Sequence, residues 1–159
     1  MKLKTILEDL DILKPSRSPE ERQKNWIVTV QKQIQNYIKG GCVGNLDLRE
    51  TPIQRLPDNL KKVGGNLHLS LSKIQELPDD LVVNGDLWLN DTPIERLPKN
   101  LKVGGDLWLS RSKIQELPDG LVVKGNLWLD KTPISEKYSK EEVRKMVPGV
   151  KGNVIIKLY

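Results

Sequence analysis

Few residues in this sequence can carry acid–base or nucleophilic chemistry. There is one histidine, His68, and one cysteine, Cys42. A histidine beside a carboxylate can pass a proton; Asp47 stands one period before His68 in a repeated pattern, with Ser70 two residues after it. Such a relay needs a nucleophile within hydrogen-bond reach and an enclosed pocket. Ser70 is the sole neighbouring candidate and no pocket is expected on an open sheet, so His68 reads as one more surface position in a copied column. Cys42, within Gly41-Cys42-Val43-Gly44, reads as a small apolar residue rather than an activated thiol. Metal-ligand spacing, a phosphate-cradling loop and paired catalytic carboxylates are missing. Neither an enzyme activity nor a cofactor nor a metal is expected.

Recognition is better supplied. Trp88, Trp108 and Trp128 recur every 20 residues, each between two leucines in Gly-x-Leu-Trp-Leu. Leu-x-Leu is strand alternation, which turns both leucines inward and the residue between them outward. The full register is Gly-x-Leu-x-Leu-x-x-(Thr/Ser)-x-Ile-x-x-Leu-Pro-x-x-Leu, spoken from Gly44, Gly65, Gly85 and Gly105 and begun again at Gly125. A fixed period of this length is the signature of a solenoid, and one copy buries too little apolar surface to fold alone.

Aligned copies place outward residues in columns. The central column is Asp47, His68, Trp88, Trp108, Trp128. Parallel strands lie about 4.8 Å apart, so three indoles are expected side by side, facing solvent, with up to about 450 to 750 Å² of surface. That rivals the largest apolar patch of a typical monomer, about 300 to 600 Å², and exposed Trp is a frequent binding anchor. Flanking columns are Asn45, Asn66, Asp86, Asp106, Asn126; Arg49, Ser70, Asn90, Ser110, Asp130; and Glu50, Leu71, Asp91, Arg111, Lys131. With the central column these carry three basic and six acidic residues, which should repel phosphate and attract a basic protein patch.

The 159 residues suit one structural domain: a helical N-terminal cap over 1–43, five repeats over 44–134 and a C-terminal cap over 135–159. Net charge is +5, yet residues 44–134 hold twelve Lys/Arg against thirteen Asp/Glu, so the basic excess lies in the two ends. No run of about 18 apolar residues predicts a membrane span, no signal peptide is recognised, and a single cysteine favours a reducing compartment. Cytoplasmic residence is expected, with signal-independent secretion left open.

Leu3, Ile6, Leu7, Leu10 and Leu13 predict an amphipathic helix over 2–13 that Lys14-Pro15 stops. Ser18-Pro19-Glu20-Glu21 is a capping box opening a second helix to about Lys39, with Trp26, Ile27, Val30, Ile34 and Ile38 on its buried face and Gly40-Gly41 closing it. Ser139-Lys140-Glu141-Glu142 opens a short helix through Met146, and 152–156 echo the Gly-Asn-Leu-Trp-Leu strand as a final one.

Leu107-Trp108-Leu109-Ser110-Arg111-Ser112-Lys113-Ile114-Gln115-Glu116-Leu117-Pro118 resembles the leucine-rich repeat (LRR). Period and Leu-Pro step are most similar to the short bacterial type of secreted effector ubiquitin ligases and of small phage-encoded LRR proteins. The resemblance covers 44–134 and implies a solenoid of the α/β class, with a parallel sheet on its concave face and an irregular convex side. Thr51, Ser72, Thr92, Ser112 and Thr132 stand where the family usually has Asn, and Thr-Pro-Ile alternates with Ser-Lys-Ile, so a pair of about 40 residues is the duplicated unit. The catalytic cysteine of those ligases lies in a separate C-terminal domain and is not carried over. The expectation is a protein-binding module, aimed at a host protein in the host cytoplasm if phage-encoded. Its docking residues would be Trp88, Trp108, Trp128, His68, Asp86, Asp106, Asn90, Asp130 and Arg111. A glycan binder and a single-stranded nucleic-acid binder use the same indoles differently and remain alternatives. Capped ends favour a monomer.

Overall fold

A computed structural model describes residues 18–157, so the helix expected over 2–13 lies outside the described residues. In chain order the elements are α1 (Pro19–Lys39), β1 (Leu46–Asp47), β2 (Lys62–Val63), β3 (Leu67–His68), β4 (Val82–Val83), β5 (Leu87–Trp88), β6 (Lys102–Val103), β7 (Leu107–Trp108), β8 (Val122–Val123), β9 (Leu127–Trp128), α2 (Pro133–Lys137), α3 (Lys140–Met146) and β10 (Val154–Ile155). The chain is a solenoid of stacked coils. Its six-stranded sheet runs β1-β3-β5-β7-β9-β10, all parallel, and a second sheet runs β2-β4-β6-β8, also parallel.

The second sheet corrects one expectation. The return segment is not irregular throughout: after the Leu-Pro turn each coil extends again, and Val63, Val83, Val103 and Val123 alternate inward with no accessible surface beyond 1%. A third side is marked by isolated parallel bridges, Arg55 to Glu76 and Arg96 to Glu116. Each coil therefore has three outward-facing sides around a core of leucine, isoleucine and valine. That core is continuous from Val30 and Ile34 of α1 to Val143, Val147, Val150 and Val154 of the C-terminal cap.

Polar side chains set the spacing of the coils. Asn45, Asn66, Asp86, Asp106 and Asn126 each accept, at Oδ1, the backbone N–H one coil on, from Asn66, Asp86, Asp106, Asn126 and Asn153, at 2.7 to 2.9 Å. The glycine that opens each repeat makes room for this ladder. A Cβ on Gly85 or Gly105 would collide with the Oδ1 of Asn66 or Asp86. The buried Thr51, Thr92 and Thr132 hydroxyls instead donate within their own coil, to the carbonyls of Leu48, Leu89 and Leu129. Asparagine's turn-bridging work is thus done by a neighbouring column.

The helix starts at the two ends of the described residues follow signals visible in the sequence. Ser18 and Glu21 complete the capping box of α1, and Ser139 and Glu142 that of α3. The α1 helix lies across the edge of β1, where Gln33 Nε2 donates to the Asp47 carbonyl at 3.0 Å. The Tyr37 hydroxyl lies within donating distance of the Gly44 carbonyl at 2.8 Å and the Cys42 carbonyl at 3.0 Å, and accepts from Gly64 N–H. Trp26 is a correction: it is 48% exposed. Only Val30 and Ile34 are buried along the helix, and Trp26 lines an open cleft together with Pro52 and Gln54. The short α2 was not foreseen; Thr132, Pro133 and Ser135 form its capping box.

A candidate docking side on the six-stranded sheet

In-register pairing aligns Asp47 with His68, His68 with Trp88, Trp88 with Trp108 and Trp108 with Trp128, and Ile155 continues the column beside Trp128. Strand alternation puts Leu87, Leu107 and Leu127 fully inside and leaves each indole half-buried on the surface. Among the described residues the rings form two pairs rather than one continuous ladder. Trp108 and Trp128 stack with centroids 4.3 Å apart and planes 5° from parallel, whereas His68 and Trp88 meet at 4.9 Å and 38°. The outer indoles are thus less exposed than expected, because stacked rings cover one face of each other.

The carboxylates beside them are tied down. Asp86 and Asp106 do not stand free at a rim; each holds the next coil through Oδ1. Asp106 Oδ2 also faces Trp128 Nε1 at 3.4 Å, which steers the indole along the acidic flank. Asp130 accepts from Ser110 Oγ and from the backbone N–H of Lys157. Two acids are neutralised by arginine: Asp47 by Arg49 at 2.7 Å, and Asp91 by Arg111 in a two-point contact at 2.6 and 2.7 Å. After these two pairs Glu50, Asp86, Asp106 and Asp130 remain against Lys131, and three of those four acids, Asp86, Asp106 and Asp130, flank the tryptophans.

Glu50, Leu71, Asp91, Arg111 and Lys131 all take left-handed backbone, with φ between 54° and 62°. That conformation disfavours residues with a Cβ by about 1 to 2 kcal/mol. Leu71 is the exception in chemistry: it is apolar, strained and 54% exposed, next to the His68–Trp88 pair. The sequence placed it in an outer column without singling it out. The signal was one large apolar residue where every other copy carries a charge.

His68 and Asp47 are each shifted by their surroundings. Burial, then Arg49, holds the His68 imidazole below its ordinary value of 6.5, against a smaller opposing pull from Asp47. The Asp47 carboxyl is held low by its hydrogen bond from Arg49. Among the described residues Ser70 Oγ and Asn90 Oδ1 are buried without a hydrogen-bond partner, so neither bonds His68. Cys42 is half-buried against the core where α1 meets the first coil. No helix among the described residues is long and apolar enough to cross a membrane. No protein-family model matches the chain and no curated protein matches it.

Proposed function

We propose that the chain is a non-enzymatic binding module of the LRR type, with its six-stranded sheet on the concave side as the docking surface for a basic protein. The observation that carries this reading is the half-exposed Trp108–Trp128 stack set among the Asp86, Asp106 and Asp130 carboxylates. An aromatic surface with surplus negative charge suits lysine and arginine side chains, which lie over indole faces and gain from nearby carboxylates. Trp88, His68 and the exposed Leu71 extend the same surface toward the N-terminal coils, and Asn90 and the Asp91–Arg111 pair flank it. Resemblance to small phage and bacterial LRR proteins suggests an inhibitor or adaptor of a host protein, acting as a monomer in the cytoplasm.

A sugar ring would use the same uncovered indole faces, so the glycan reading stands as the alternative, and what favours a basic protein over it is the negative charge around the stack. Affinity capture from native cells tests the proposal, with wild type beside the Trp88→Ala/Trp108→Ala double variant and a glycan array run in parallel. A basic protein retained by wild type and lost by the folded double variant is the expected result. Equal retention by both, or retention of glycans alone, contradicts it.

A further inference from the structure

The near-neutral total of the repeats hides a division by side. On the four-stranded sheet the inward valines alternate with outward positions 62 and 64, 82 and 84, 102 and 104, and 122 and 124. Val150 bridges Val123 and Lys151 N–H donates to the Val123 carbonyl, so Lys151 continues beside Lys124. These outward positions hold Lys62, Lys102, Lys124 and Lys151, with half-buried Val82 and Val122, Asn84 and glycines, and not one carboxylate. All four lysines are exposed, and among the described residues none is paired with an acid. The third side is self-neutralised, Arg55 with Glu76 and Arg96 with Glu116.

We propose that this lysine side binds the phosphate backbone of duplex nucleic acid, independently of sequence and of the tryptophan side. Four ammoniums spread over four coil steps, roughly 19 Å, along one side of the solenoid. Lysine serves phosphate as a point charge without demanding a fixed geometry. The outward positions offer no aromatic platform for stacking unpaired bases, no helix to enter a groove, and no large apolar anchor for a bilayer. What remains is a polyanion with regularly spaced charge along a rigid rod.

Fluorescence anisotropy with two unrelated 20-base-pair duplexes tests this. Four neutralised phosphates predict a slope of log K against log salt of about −3.6, or roughly 150-fold weaker binding at 200 than at 50 mM salt. Both duplexes should bind alike. Lys62→Gln/Lys102→Gln should reduce the slope to about −1.8 and the salt effect to roughly 12-fold, while Trp108→Ala/Trp128→Ala should change neither. Circular dichroism shows that each variant is folded. Lack of binding at 50 mM salt overturns the proposal. So does undiminished binding by Lys62→Gln/Lys102→Gln/Lys124→Gln/Lys151→Gln, which would assign it to the basic ends. Tighter binding to phosphatidylserine vesicles than to duplex at equal phosphate concentration, or salt-sensitive pairing of the chain with itself through this side, overturns it as well.

Discussion

Gly105, Leu71 and His68 show three ways in which one side chain is answerable to the coil beside it. A Cβ at Gly105 collides with Asp86 Oδ1, the atom that holds Asp106 N–H. Gly105→Ala should therefore destabilise by about 1 to 3 kcal/mol, read as a lower urea midpoint. Leu71 runs the other way: Asn tolerates left-handed backbone better, so Leu71→Asn should gain about 1 kcal/mol in the same measurement while weakening capture of the proposed partner. Folding lowers the His68 pKa, so the folded chain binds fewer protons than the unfolded one as pH falls below about 6.5. Its contribution is whole above that pH and shrinks on acidification through the folded value. His68→Phe, which keeps a ring beside Trp88, should flatten the fall in urea midpoint between pH 7.5 and 5.5. The outward column of these residues was legible from Leu-x-Leu spacing. Ring pairing was not, since whether neighbouring indoles stack depends on rotamers that spacing leaves free.

At the scale of elements, the caps were readable because Ser, Pro and Glu at fixed offsets meet the unpaired amides of a helix start. How α1 meets the coils was not readable. Its apolar period placed Trp26 with Val30 and Ile34, but burial stops short of Trp26. Attachment relies instead on Tyr37, a polar residue outside that pattern, whose hydroxyl donates its one proton to the carbonyl of Gly44 or Cys42 and accepts from Gly64 N–H at the two ends of the first coil. Gly64 N–H keeps its bond to the Cys42 carbonyl, so Tyr37→Phe removes chiefly the bond to Gly44 and should cost about 0.5 to 1.5 kcal/mol, measured by chemical denaturation. Likewise α2 escaped notice because Thr132-Pro133-Ile134 copies the Thr-Pro-Ile of earlier coils, and only Ser135 in place of a longer polar residue marks the helix.

Across the whole molecule, period and stacking followed from the glycine and leucine spacing, while the second sheet and the division of charge did not. A segment total sums residues along the chain; binding sees them side by side. The six-stranded side keeps surplus carboxylates around stacked indoles, the four-stranded side keeps unpaired lysines, and the third side cancels its own charges through Arg55–Glu76 and Arg96–Glu116. Calorimetric titration of the captured partner against wild type and Trp108→Ala/Trp128→Ala tests the docking side most directly. Two buried anchors worth about 2 kcal/mol each predict affinity weaker by roughly 10²- to 10³-fold, with Lys62→Gln/Lys102→Gln binding like wild type. An unchanged affinity in the folded tryptophan variant would contradict the account and leave the stack as a device for holding coils together.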